Sequence, residues 1–188
     1  PVEDTTMDLA ADSVTRRRDA WAWRFLCTAL SFALFGVGGV LLRVLILPVV
    51  LHWPGPATVR RRRARRTVGR AFWLHSQFMY RTGVIRYRFE GLERLGRPGQ
   101  LIVANHPSLI DVVFLIGLVP DANCIVKHSL WKNRCMRGPA RVAEYISNDG
   151  SADMLERAAD VLREGQTLIV FPEGTRTTPG QPPVFHRG

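Results

Sequence analysis

A long apolar stretch between two arginine clusters constrains this chain more than any other feature. Residues 25–42 carry no charge over 18 positions, and after Arg43 the sequence is apolar again through 44–51. A helix needs about 20 apolar residues to cross the hydrocarbon of a bilayer, so one spanning helix is possible. Arginines lie on both sides of the stretch, at 16–18 and 24 before it and at 60–66 after it.

This distribution of charge favours a segment that enters and leaves the membrane on one face. Positive charge stays cytoplasmic, and a single span would strand one of the two clusters. The glycine-rich centre at 35–39 favours a bend. We therefore expect a monotopic, re-entrant insertion at the cytoplasmic face of the inner (plasma) membrane, with a full span as the alternative. A cleaved signal peptide and a buried core helix fit less well, because no clean cleavage site follows and tryptophans beside arginines favour an interface.

The arginine-rich segment predicts a basic amphipathic helix over about residues 58–81, with apolar positions such as Val68 and Phe72 at helical spacing. The formal net charge of +10 indicates a polyanionic partner. The upstream apolar stretch favours an anionic membrane surface, where each basic residue contributes about 1 kcal/mol. A solvated helix face stays open. We expect no nucleic acid as a partner, because no aromatic side chain lies among the arginines at 60–66.

Strand-like and helix-like segments alternate in the rest of the chain. Alternation at 84–90 predicts a half-exposed strand, and Ser108 and Ser151 are expected to open apolar helices ending at 119 and near Gly165. Further strands are predicted at 101–104, 123–126, 143–147 and 166–171.

This order predicts an α/β fold with a mixed, largely parallel sheet flanked by helices and preceded by an N-terminal membrane-inserted helical segment. We expect a polar N-terminal tail at 1–20, a membrane-inserted segment with the basic helix at 21–83, and an α/β domain at 84–188.

Two motifs follow buried strands, where parallel sheets usually bind their ligands. The first is N-H-P-S-L-I-D at 105–111. A neutral imidazole can remove a proton from a hydroxyl, and a carboxylate on its other nitrogen stabilises the imidazolium. The spacing lets Asp111, early in its helix, reach back to His106. The same residues also fit a helix-capping histidine and a first-turn aspartate that favours the helix dipole.

The second motif is F-P-E-G-T-R-T at 171–177. Arg176 can hold a phosphate in a bidentate fork, and Gly174 lets the backbone approach a ligand closely. Glu173 is a candidate to orient the loop or to bond a ligand hydroxyl. A polar surface turn with a local Glu–Arg pair is the alternative.

Together, these motifs and the upstream apolar segment resemble the glycerolipid (lysophospholipid) acyltransferase family, from about residue 21 to the end. The resemblance implies acyl transfer from acyl-CoA or acyl-carrier protein to a lysophospholipid hydroxyl, with 1-acyl-glycerol-3-phosphate as the favoured acceptor. It implies no metal and no prosthetic group. By this resemblance His106 is the general base and Asp111 its orienting partner. The residues implied for acceptor binding are Glu173, Gly174, Thr175, Arg176 and Lys127.

The chain departs from the family pattern in two places. The motif Gly-x-x-Phe-Ile-x-Arg, which helps to bind the acceptor head group, is matched by residues 142–148 with Val142 for glycine and Asn148 for arginine. The lost cation leaves open another lipid or amphiphile as the acceptor. The family also continues into a strand with a Val-Pro-type motif, so we expect the catalytic domain to be C-terminally incomplete.

Other classes of function fit less well. A catalytically silent, membrane-anchored binding protein of the same fold is the main alternative, although His106 and Asp111 are both present. A serine hydrolase would need a Gly-x-Ser-x-Gly elbow, which the sequence lacks. The three cysteines, Cys27, Cys124 and Cys135, are far apart, which excludes a disulfide framework and a Cys-only zinc site and suits a reducing compartment.

Overall fold

The computed structural model describes residues 2–105, 108, 110–119, 121–132 and 137–173. The described part begins with helices up to residue 81, and helices and strands alternate in its second half. The helices are α1 (Val2–Leu41), a π-helical turn (Leu42–Ile46), α2 (Leu47–His52), α3 (Ala57–Arg81), α4 (Ile110–Leu118), α5 (Arg137–Val142) and α6 (Ala152–Arg163). The strands are β1 (Leu101–Val103), β2 (Asn123–Lys127), β3 (Ile146–Asn148) and β4 (Leu168–Val170). Short 3-10 helices lie at Leu92–Arg94 and His128–Lys132.

The apolar stretch forms one continuous helical segment through α1, the π-helical turn and α2. Within it, Trp21–His52 is long and apolar enough, by length and composition, to cross a membrane. Only 11% of its most apolar window is buried inside the protein, with a mean hydropathy of 2.4. This exposure distinguishes the helix from the core helix of a water-soluble domain, which would be mostly covered.

The bend predicted at the glycines of 35–39 is wrong, because α1 passes through them and ends at Leu41. Each helical glycine costs only about 1 kcal/mol, and packing against α3 offsets that cost. Phe35 stacks on Phe72 with ring centroids 6.0 Å apart and meets His75 at 5.3 Å. The chain instead reverses at 53–56, where two prolines flank Gly55. The hairpin therefore pairs the whole apolar helix with the basic helix.

The polar N-terminal tail predicted at 1–20 is helical from Val2 onward, where α1 begins. Residues 2–20 contain neither glycine nor proline, so nothing in their backbone chemistry stops a helix from extending through them.

Helix α3 confirms the predicted basic amphipathic helix, within one residue of the expected start. Its inner face buries Ala64, Val68, Phe72 and Met79. Ala64, Val68 and Phe72 join the main core, which also takes in Val113 and Ile116 of α4, Cys124 of β2 and Ile169 of β4. The helical hairpin and the sheet therefore share one core.

The four strands form a parallel sheet in the order β1-β4-β2-β3, which confirms the predicted parallel α/β sheet. Adjacent residues of a strand point to opposite faces. On β4, Ile169 joins the main core, whereas Leu168 packs with Met154 and Ala158 of α6 in a second core cluster. Helices therefore cover both faces of the sheet.

Two strand predictions are wrong in detail. No strand forms at 84–90, although the burial of its side chains alternates as predicted. Tyr87 and Phe89 pack against Phe114 of α4, with ring centroids 4.8 and 5.5 Å away, so the extended segment buries its apolar side on a helix rather than in a sheet. The strand predicted at 143–147 begins later, at Ile146, because Glu144 adopts a left-handed conformation with φ of 55°.

Candidate active site

The candidate site lies at the carboxyl edge of the parallel sheet. Strands β1 and β4 are neighbours, with Val103 and Val170 in register, and the backbone N–H of Ala104 donates to the carbonyl of Val170 at 3.1 Å. The segments that follow these two strands carry the two sequence motifs. The topology therefore brings the first residues of both motif segments, Asn105 and Phe171, to one edge of the sheet, where parallel sheets usually bind their ligands.

Asp111 lies in the first turn of α4 and is held by Ser108. The backbone N–H of Ser108 donates to Oδ2 at 2.7 Å, and its hydroxyl donates to Oδ1 at 3.0 Å. The Ser108 hydroxyl oxygen also accepts from the N–H of Ile110 at 3.3 Å. This arrangement is a capping box in which aspartate takes the place of glutamate. The first-turn position of Asp111 is compatible with the helix-dipole alternative, and the two bonds from Ser108 fix the orientation of its carboxylate.

Ser108 is the residue of this site whose role sequence reasoning missed. We expected it only to open the helix. The pattern Ser-x-x-Asp at 108–111 was the available signal, because a capping box places the side chain of the fourth residue on the backbone of the first.

Glu173 follows β4 and is only 3% exposed. This burial contradicts the alternative of a polar surface turn, since glutamate is almost never buried without a partner. Glu173 is therefore part of the protein interior, three residues after the end of β4.

Lys127 ends β2 and is exposed, two strands away from β1. Strands lie about 4.8 Å apart, so Lys127 is roughly 10 Å from the β1 end of the edge. Its register partner on β3 is Asn148, the position where the family motif has arginine. Nearby, Nδ1 of His128 lies 3.1 Å from the hydroxyl of Ser147. One lysine and one histidine thus lie beside the position of the missing cation.

A carboxylate completes this part of the edge. Hydrogen bonds from Ser151 lower the pKa of Asp149, through the serine hydroxyl at 2.7 Å and its backbone N–H at 3.1 Å. Asp149 therefore stays charged near neutral pH, and its Oδ2 lies 3.9 Å from Nη2 of Arg157.

Four of the predicted site residues lie outside the described residues: His106, Gly174, Thr175 and Arg176. Asp111, Glu173 and Lys127 lie along the same edge. Among the described residues, no group of three histidine, cysteine, aspartate or glutamate side chains is placed to hold a metal ion. Metal-free chemistry without a prosthetic group stays a prediction.

Comparison with known sequences decides the family. The family model described as Acyltransferase matches residues 86–188, more than half of the chain. The chain belongs to the acyltransferase family. The match begins before β1 and includes both motifs of the candidate site, as the resemblance implied.

Curated relatives carry more specific names. The chain is 28% identical over 110 residues to a 1-acyl-sn-glycerol-3-phosphate acyltransferase of Pseudomonas aeruginosa, covering 55% of this chain and 43% of the relative. It is 31% identical over 131 residues to a probable 1-acyl-sn-glycerol-3-phosphate acyltransferase of Mycoplasma pneumoniae, covering 63% and 48%. The matches thus span less than half the length of these two relatives.

A solved structure supports the fold. The 1-acyl-sn-glycerophosphate (LPA) acyltransferase PlsC from Thermotoga maritima superposes with a TM-score of 0.63 over 88% of this chain and 65% of that one, at 20% identity. The similarity covers more of the chain than the family model does, so it extends into the N-terminal helices. It confirms the predicted fold class.

Proposed function

We propose that this acyltransferase-family protein moves a fatty acyl group from acyl-CoA or acyl-carrier protein to the hydroxyl of a lysophospholipid, with 1-acyl-glycerol-3-phosphate as the acceptor. The observation that carries the proposal is the pairing of β1 with β4, which places Asp111 and Glu173 at one edge of the sheet. The names of the relatives favour this acceptor.

The proposed reaction needs a base and an oriented carboxylate. His106 takes the proton of the acceptor hydroxyl while its oxygen attacks the thioester carbonyl carbon. The new C–O bond forms, the C–S bond breaks, and the imidazolium returns the proton to the leaving thiolate. Asp111, already oriented by Ser108, stabilises the imidazolium, because a carboxylate beside an imidazole favours its charged form.

The acceptor phosphate is proposed to bind between the ends of β4 and β2. Arg176 offers a bidentate fork, and Gly174 and Thr175 follow the buried Glu173 in the same loop. Lys127 supplies a second cation from β2. The exposed helix Trp21–His52 is proposed to insert at the cytoplasmic membrane face, where a lipid acceptor and a water-soluble acyl donor can meet.

The position of Asn148 favours a second candidate, which keeps the mechanism and changes the acceptor. The register partners at this edge are Lys127 and Asn148, so only one of the two is a cation. The residue after Asn148 is Asp149, which carries a negative charge. A lyso-lipid with an amine in its head group would suit that balance of charges better than a phosphate monoester.

The test is acyl transfer by membranes that carry the protein produced from its complete gene. Labelled acyl-CoA and acyl-carrier protein are offered with lysophosphatidate, with a lyso-aminolipid, or with no acceptor. Labelled phosphatidate that disappears in His106→Ala supports the proposal. Transfer only to the lyso-aminolipid supports the second candidate. No transfer to either acceptor contradicts both and leaves a catalytically silent binding protein.

A further inference from the structure

A cavity of about 1270 Å³ lies at the amino edge of the sheet, opposite the candidate active site. Its floor includes Asn123 and Ile146, the first residues of β2 and β3, and Thr167, just before β4. Helix α3 forms one wall. Because Asp111, Glu173 and Lys127 lie at the carboxyl ends of the same strands, the sheet separates this cavity from them.

The cavity wall is strongly basic. Eight arginines and four carboxylates line it, which leaves an excess of four positive charges. Some of these arginines are neutralised: Arg62 and Arg65 both pair with Asp121. Others are not. The lining arginines without a salt bridge to any carboxylate in the described part of the chain are Arg66, Arg70, Arg97 and Arg141.

One cation of the wall is built into the protein interior. Arg65 is 5% exposed, and its Nε donates to Oδ1 of Asp121 at 3.1 Å. A guanidinium has five N–H donors. The other four make no hydrogen bond within the described residues, so they remain for whatever occupies the cavity. If the arginines of α3 only formed a solvated helix face, the side chain of Arg65 would not be buried.

Three further lining side chains carry buried polar atoms that have no hydrogen-bond partner among the described residues. They are the hydroxyl of Tyr145, Nε1 of Trp131 and Oε1 of Gln166. Tyr145 is only 7% exposed. Buried polar groups are nearly always paired. These three atoms have almost no accessible surface, so a ligand in the cavity reaches them only after their side chains turn toward it.

We infer that this cavity is a second ligand site, which binds a phosphate-bearing anion. Guanidinium forks match phosphate oxygens, and the Tyr145 hydroxyl and Trp131 indole become further donors when their side chains turn toward the ligand. The Gln166 carbonyl accepts from a hydroxyl of the same ligand. The phosphate belongs either to a soluble compound or to the head group of an anionic lipid. A lipid can reach the site because Thr58 lines the cavity six residues after the apolar helix ends at His52.

The inference is tested by binding, so it does not depend on acyl transfer. Thermal unfolding of the protein from its complete gene is followed in detergent with inorganic pyrophosphate, at constant ionic strength. It is then followed in nanodiscs of phosphatidylglycerol or phosphatidylcholine. We expect pyrophosphate or phosphatidylglycerol to raise the unfolding temperature, and Arg66→Gln and Arg70→Gln each to weaken the response about tenfold. The matched control is Arg60→Gln, because Arg60 is an exposed arginine of α3 that does not line the cavity.

Tyr145→Phe separates a ligand role from a structural one. Without ligand, this variant should unfold at the same or a higher temperature, because it loses an unpaired buried hydroxyl, yet its response to the anion should shrink. A response to pyrophosphate assigns a soluble ligand, and a response only to phosphatidylglycerol assigns a lipid head group. The inference is overturned if neither probe stabilises the protein, or if Arg60→Gln weakens the response as much as Arg70→Gln.

Discussion

Ser108 holds the carboxylate of Asp111 by both oxygens, at 2.7 Å from its backbone N–H and 3.0 Å from its hydroxyl. The same two hydrogen bonds cap α4 and orient the carboxylate of Asp111. Ser108 therefore has two roles at this site: it stabilises the fold, and it positions the proposed catalytic pair. A variant that removes only one of the two bonds is needed to separate these roles.

Ser108→Ala removes the hydroxyl bond and leaves the backbone bond. We expect a loss of about 1 kcal/mol of stability, as for other N-cap serines. We also expect kcat to fall about tenfold or more, because Asp111 becomes less well oriented. Ser108→Thr should restore both. The measurements are thermal unfolding and steady-state transfer.

Ser151→Ala is the matched control for Ser108→Ala. Ser151 caps α6 through a bond from the N–H of Met154 at 3.1 Å, after β3, which lies three strands from β1 in the sheet. Its hydroxyl also bonds Asp149, whose proposed effect is on acceptor binding and not on kcat. It should cost a similar amount of stability and leave kcat unchanged. If kcat falls equally in Ser108→Ala and Ser151→Ala, Ser108 affects folding alone and the proposal that it positions Asp111 is wrong.

Arg176→Ala should raise KM for a phosphorylated acceptor by about 10- to 100-fold, because a hydrogen bond to a charged group contributes about 1.5–3 kcal/mol. The kcat with an uncharged acceptor should stay the same. Arg163→Ala serves as the control, since Arg163 is exposed on α6 and pairs with Asp160. An unchanged KM for the phosphorylated acceptor would exclude Arg176 from phosphate binding.

The elements set by local chemistry could be predicted from the sequence. Helix α6 begins after the N-cap residue Ser151 and ends at Arg163, two residues before Gly165, which is left-handed with φ of 76°. The common edge of both motifs was also predictable, because parallel strands share their carboxyl ends. The alternation at 84–90 was misleading, since a period of two shows that one side is buried but not what covers it.

Long-range contacts could not be predicted. The arginine run looked like a surface for membranes, yet Arg61 pairs with Glu144 at 2.8 Å and Arg65 with Asp121 at 3.1 Å, in parts of the chain 56 or more residues away. The spacing of Arg65 from Val68 and Phe72 places it on the inner face of α3, but nothing in the sequence near it identifies Asp121 as its partner. The cavity at the amino edge exists only because α3 folds back over the sheet.

Asn148→Arg tests why this chain departs from the family motif. Asn148 is the register partner of Lys127, so an arginine there would place two cations side by side for one phosphate. If the acceptor is lysophosphatidate, kcat/KM should rise by up to about tenfold, roughly 1.4 kcal/mol. With a lyso-aminolipid it should fall. If kcat/KM with each acceptor is the same in Asn148→Arg as in the parent, position 148 does not contact the head group.

His75 should make the helical hairpin sensitive to acid. Burial lowers the pKa of His75 below 6.5, and its Nε2 lies 3.4 Å from the hydroxyl of Ser31 on α1. The unfolded chain therefore binds the proton more readily, so stability falls as pH drops through about 6.5 and levels off below the folded pKa.

Thermal unfolding in detergent from pH 7.5 to pH 5 measures this effect. His75→Gln should flatten the decline, whereas His52→Gln, at an exposed histidine, should not. A decline of the same size in His75→Gln and in the parent would assign the acid sensitivity to other groups.

Gly138→Ala should loosen the contact between α5 and the π-helical turn. A Cβ at Gly138 would lie 2.5 Å from Cδ and 2.6 Å from Cγ of Arg43, so one of the two must move, at a cost of about 1–3 kcal/mol. Gly38→Ala is the control, because no atom lies within 4 Å of its added methyl and helix propensity then favours alanine. In an Arg43→Ala background the cost of Gly138→Ala should shrink, which a double-mutant cycle of unfolding free energies measures. An undiminished cost in that background would mean that strain at Gly138 arises from its own backbone rather than from Arg43.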